Sequence, residues 1–153
     1  MFDSIRLTWL WRLALLLLAG LPPATGLCAE SGVEDKLKAG FLLNFTKYTE
    51  WPASDAHSHD LLICGIESQS LSGQLETLRG RRVAGRVIRV LAPARPSEWA
   101  GCQMLFIDVE ARIRPETVLR MLGQAPVLTV SDAPGFIQVG GMIGLKLRGG
   151  RIR

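Results

Sequence analysis

The sequence predicts a single α/β domain, with a mixed, mostly parallel sheet and helices on its faces. Two observations carry that prediction. Three apolar runs of strand length, at residues 61–66, 102–109 and 126–130, suit strands covered on both faces. Segments with helical periodicity or helix signals stand between and before them, the alternation of an α/β chain.

The chain opens with leader chemistry. Arg6 and Arg12 supply positive charge, residues 13–21 a short apolar run, and Pro22-Pro23 a break. Small residues follow at Ala24, Gly26 and Ala29. The run is far shorter than the ~20 residues that a membrane-spanning helix needs. Residues 1–29 therefore read as a secretory signal peptide and residues 30–153 as the mature domain, cut after Ala29, with a cut after Gly26 as the rival. Cys28 raises a lipidated first residue as a third option, against which Leu27 is large for the position before it. Export removes nucleotide-dependent chemistry from consideration and permits disulfides.

Residues 34–50 read as a helix, with Leu37, Phe41, Phe45 and Tyr48 as its apolar stripe and Trp51-Pro52 as its stop. Phe41 and Phe45 are assigned to the core; Tyr48 and Trp51 suit either core or a binding ledge. Residues 61–66 form the first buried strand. Residues 70–78 form a short helix, capped by Ser70, with Leu71, Leu75 and Leu78 on one face. Residues 86–91 suit a strand of mixed exposure, and 93–100 a loop. After the strand at 102–109, Pro115 opens a helix whose inner face is Val118, Leu119 and Leu122, and Gly123 ends it. The strand at 126–130 and a last strand at 140–147 complete the domain.

The formal net charge is +4, and its excess is arginine. Arg79, Arg81, Arg82, Arg86 and Arg89 cluster, and Arg148, Arg151 and Arg153 crowd the end. Interleaved aromatics or a nucleic-acid module are missing, so no nucleic-acid partner is expected. A solvated face is the plain reading of the cluster, an acidic protein or anionic envelope surface the functional one. If Cys28 leaves with the leader, Cys64 and Cys102 remain as an even pair in an oxidising compartment. A disulfide is the natural inference, two buried thiols the alternative.

In parallel sheets ligands bind beyond the carboxyl ends of the strands. Those ends carry Glu67, Asp108, Ser131 and Asp132, which with Tyr48 and Trp51 are the candidate ligand or partner residues. Catalytic patterns are weak. Ser131-Asp132 lacks a G-x-S-x-G turn, and the only histidines, His57 and His59, lie in a polar loop. That pair has no third metal ligand at a known spacing, so no metal is expected. Residues 140–144 lack the Lys-Ser/Thr ending of a phosphate loop and read as a turn into a strand. No catalytic residue and no cofactor are expected.

The residues also resemble a known family. Residues 38–52, KAGFLLNFTKYTEWP, are similar to the opening helix of the YfiR family of periplasmic proteins, with its Lys-Ala-x-Phe-Leu-x-Asn-Phe-x-Lys-(aromatic)-x-Glu-Trp-Pro pattern. The resemblance continues in order through residues 62–65, 102–107 and 127–132, then Phe136 and residues 140–143. It implies an α/β domain with a mixed sheet, periplasmic location, and a disulfide between Cys64 and Cys102. It implies a non-enzymatic regulator that restrains a membrane diguanylate cyclase through the cyclase's periplasmic region, and that an outer-membrane lipoprotein can remove. Restraint then links envelope or redox state to cyclic-di-GMP and biofilm formation. A periplasmic module that binds and senses a small ligand is the second reading, and self-association into a homo-oligomer is compatible with both. The chain departs from the family in having no cysteine after Cys102 and in ending where the family continues with a further strand and helix, so truncation of the domain is also expected.

Overall fold

β1 (Asp60–Ile66) is buried on both faces because its apolar run has no solvent-facing alternation, and it lies inside the sheet. β3 (Arg86–Leu91) and β4 (Met104–Ile107) flank it, both parallel. β5 (Leu128–Ser131) pairs parallel with β4, and β6 (Ile143–Gly144) parallel with β5. β2 (Arg82–Val83) alone runs antiparallel, on β3, giving the order β2-β3-β1-β4-β5-β6. β7 (Leu147–Arg148) and β8 (Arg151–Ile152) form a separate antiparallel pair. The mixed, mostly parallel α/β sheet is the one the sequence predicts. This computed structural model describes residues 27–52, 60–66, 69–148 and 151–152. The leader up to residue 26, His57-Ser58-His59 and Glu67 lie outside the described residues.

Strand side chains alternate, so each central strand feeds two cores. On one face Leu61, Ile63, Met104, Phe106 and Val130 meet Leu42 of α1 (Leu27–Tyr48) and Leu71 and Leu75 of α2 (Gln69–Glu76). On the other, Cys64, Ile66, Leu105 and Ile107 meet Val118 and Leu122 of α3 (Pro115–Leu122), Phe136, and Trp99 of a 3-10 helix (Pro96–Gly101).

Several expected elements are corrected. α1 starts seven residues before the expected 34 and stops at Tyr48, where the Thr49 hydroxyl donates to the Phe45 carbonyl at 2.9 Å and satisfies a last-turn acceptor. Among its described side chains the buried ones are Asp35, Lys38, Ala39, Leu42 and Thr46, not the predicted Leu37, Phe41, Phe45 and Tyr48. The period was helical but the phase differs by about one residue, because polar side chains hold the inward positions. Phe41 and Phe45 are half-buried, their rings 6.2 Å apart, with Phe45 packed on the margin of the core. α2 starts at Gln69, so Ser70 is inside the helix rather than its cap.

The expected loop at 93–100 runs into the 3-10 helix, opened by Arg95, whose backbone N–H donates to the Glu98 carboxylate at 2.7 Å. Met104–Ile107 is shorter than the predicted strand because Cys102 ends the 3-10 helix and Asp108 begins a turn. The last strand at 140–147 is two short strands, β6 and β7, separated where Leu145 drops into the core. Gly140-Gly141 belongs to the preceding turn. Gly140 has φ +99°, and a Cβ on Gly141 would lie 2.3 Å from the Phe136 ring, so the glycine makes room for that ring.

Candidate functional site

Register sets the site. Ile66 pairs with Ile107, and Ile107 with Ser131, so the carboxyl ends of β1, β4 and β5 lie level. Asp108 and Asp132 follow directly. Each expected residue here already has a partner. An Asp108 carboxylate oxygen accepts from the Glu110 N–H at 2.8 Å, and the Ser131 hydroxyl accepts from the Ala133 N–H at 3.0 Å. Short polar side chains commonly hold turns this way. Asp132 reaches further: one oxygen accepts from the Val109 N–H at 2.7 Å, and the other sits 2.7 Å from the Lys38 ammonium of α1.

Lys38 is the residue that sequence reasoning missed. Its side chain is 7% exposed and that of Asp132 6%, so this is a buried ion pair. Glu34, one helical turn earlier, gives Lys38 a second carboxylate at 2.8 Å. Burial alone would lower the lysine pKa, but the hydrogen bonds and charges of Asp132 and Glu34 outweigh it and raise the pKa above its usual value. The ammonium stays charged at any physiological pH. The available signal was position: Lys38 lies four residues before Leu42, on the inward face once the phase is set.

The C-terminal end of α1 is anchored differently. The Trp51 indole N–H donates to the Gln103 carbonyl at 2.9 Å, just before β4. The Gln103 side-chain oxygen accepts from the Leu62 N–H at 2.8 Å, tying the same point to β1. The Arg86 guanidinium covers the Trp51 ring at 5.7 Å and donates to the Asp60 carbonyl at 2.7 Å. Trp51 is therefore half-buried and held, while Tyr48 is 85% exposed. The two aromatic candidates part company. Asn44, Lys47 and Tyr48 form an exposed ridge, with Lys47 donating to the Asn44 side-chain oxygen at 3.2 Å.

Beside the strand ends lies an open cleft of about 560 Å³, bordered by Glu34, Val109, Asp132, Phe136, Leu145 and Lys146. Its volume falls in the range of ligand pockets. Cys64 and Cys102 are joined as a disulfide on the opposite face of the sheet from α1, with Cα atoms 6.0 Å apart and a sequence separation of 38. Among the described residues, no group of three or more His, Cys, Asp or Glu converges as metal ligands. No described helix is long and apolar enough to cross a membrane.

Fold and site together define a small α/β domain whose first helix is anchored at both ends of a parallel sheet. The chain belongs to the family described as YfiR/HmsC-like, whose model matches residues 35–153. The family is one of periplasmic regulators rather than enzymes, associated with a membrane diguanylate cyclase. No curated protein matches the chain.

Proposed function

We propose that this chain is a non-enzymatic periplasmic regulator that restrains a membrane diguanylate cyclase by contact with its periplasmic region. Envelope or redox state then reaches cyclic-di-GMP and biofilm formation through that contact, and an outer-membrane lipoprotein competes for it. The family match over residues 35–153 is the observation that carries this reading. The geometry supports it: Asp108, Ser131 and Asp132 are occupied by turns and by α1, so they hold structure rather than offer a reacting set. The contact surface in this reading is the ridge of Asn44, Lys47 and Tyr48, where a large aromatic side chain stands in solvent. Residues 1–29 are removed on export; because α1 begins at Leu27, a cut after Ala29 takes three residues from its first turn. Deleting the gene in cells that express the cyclase is expected to raise cyclic-di-GMP and surface attachment. Unchanged cyclic-di-GMP would overturn the reading.

A second reading rests on the cleft. Its volume and its mixed border of Glu34, Lys146 and apolar side chains support the binding of a small envelope metabolite. Thermal shift against a panel of periplasmic metabolites separates the two. A saturable rise in Tm that Lys146→Glu abolishes favours the sensor; none favours regulation by protein contact.

A further inference from the structure

We propose that the β2–β3 edge of the sheet is a docking surface for anionic phospholipid headgroups. Residues 77–95 hold six arginines and no acidic residue. The eighteen basic residues of the chain less these six leave twelve against fourteen acidic ones, so without this segment the chain has no positive excess. The fold concentrates it further. β2 and β3 form a tight hairpin whose two turn residues, Ala84 and Gly85, have φ of 48° and 80°, the mirror-image turn that suits twisted strands. Arg82 opens the outer strand of that hairpin and Arg81 directly precedes it; both are exposed, and neither has an ion pair among the described residues. Arg79 and Arg89 flank them with more than half of each side chain in solvent, each facing a single carboxylate, Glu76 and Asp60.

The chemistry of this edge favours a membrane over an acidic protein. Protein interfaces are anchored by buried aromatic or aliphatic side chains in pockets. None of the large exposed apolar residues lies between 79 and 90, and the cleft is at the far side of the sheet beside β5 and β6. A charged bilayer needs neither anchor nor pocket, only basic side chains within about a Debye length of its headgroups. Arg86 of the same hairpin covers Trp51, three residues after Tyr48, so docking at this edge brings the exposed ridge of α1 towards the bilayer. The proposal stands without the cyclase reading, and its test uses lipid alone.

Charged residues on an edge strand also prevent edge-to-edge aggregation. Reversing the charge keeps that protection and removes lipid attraction, which makes R81E/R82E the discriminating variant. Full-length wild-type and variant protein are sedimented with vesicles of equal phosphatidylglycerol and phosphatidylcholine, and with pure phosphatidylcholine. Both proteins share every other segment, so the ratio between them reports the edge. At about fivefold per basic residue, wild-type partitioning onto the anionic vesicles is expected to exceed that of R81E/R82E at least tenfold. The gap should close in 0.5 M salt (on the order of a 4 Å Debye length) and be absent on pure phosphatidylcholine. Equal partitioning at low salt, with both proteins folded by circular dichroism, would overturn the proposal. So would wild-type protein that binds a polyglutamate peptide through Arg81 and Arg82 while ignoring anionic vesicles.

Discussion

On one face of the sheet α1 lies across β1 and β4, and its polar anchor is the buried pair of Lys38 and Asp132. On the other face the anchor is covalent, the disulfide that ties Cys64 of β1 to Cys102 at the end of the 3-10 helix. Both faces bury a similar set of aliphatic and aromatic side chains. They differ in what undoes them. Removing one partner of a buried ion pair leaves a desolvated charge, whereas losing a disulfide mainly frees the unfolded chain. The face that presents Tyr48 is thus the one held by charge, and the face that carries the disulfide is remote from that ridge.

Lys38→Met sharpens this comparison most. It leaves the Asp132 carboxylate buried with only the Val109 N–H, and a loss of about 3–5 kcal/mol is expected in urea unfolding. Asn at 132 keeps an acceptor for Val109 without the charge, so K38M/D132N should regain at least half of that loss. Loss of under 1 kcal/mol in K38M would show that the pair is not an anchor. The pH dependence follows with its sign. A lysine whose folded pKa is raised stabilises fully below its unfolded value of about 10.5 and loses that contribution only as pH rises past it. The difference in stability between wild type and K38M should therefore be the same at pH 7 and pH 9.

On the covalent face, Cys64→Ala with Cys102→Ala should cost about 2–4 kcal/mol, the upper figure being the chain-entropy value for a loop of this length. Peptide mapping of unreduced protein that recovers both thiols free would remove the premise. Gly141→Ala comes next. Its Cβ would drive into the Phe136 ring, and displacement of that ring should cost about 1–3 kcal/mol by thermal unfolding. Trp51→Phe is the mildest. It removes one indole hydrogen bond, while the Gln103 carbonyl keeps the Leu128 N–H, so about 1 kcal/mol is expected. A Trp51→Phe protein as unstable as K38M would erase the distinction between the two anchors of α1.

The two faces were also unequally legible in the sequence. Cys64, Val118 and Leu122 could be placed because they sit in continuous apolar runs or on an amphipathic turn between Pro115 and Gly123. α1 could not be phased. Its inward positions include Asp35, Lys38 and Thr46, and an apolar count steers the stripe towards Phe41 and Tyr48 instead. Only the position of Asp132 in space, ninety-four residues further on, turns Lys38 into an inward residue. Of the strand-end candidates, Asp108, Ser131 and Asp132 do fall at the carboxyl ends of β4 and β5, because pairing register fixes where they lie. Their partners were not visible, because backbone N–H groups of turns carry no sequence signal. β2 was missed for its length: two residues, between Arg81 and Ala84, show no strand period.

The central claim is that α1 is anchored through Lys38 and Trp51 so that its outer ridge, around Tyr48, meets a protein partner. Cyclic-di-GMP in a deletion strain complemented with Tyr48→Glu tests it most directly. Tyr48 is exposed, so the substitution should leave Tm unchanged. Cyclic-di-GMP is expected to stay at the deletion level although the folded protein is present in the periplasm. Restoration to the wild-type level by Tyr48→Glu would contradict it.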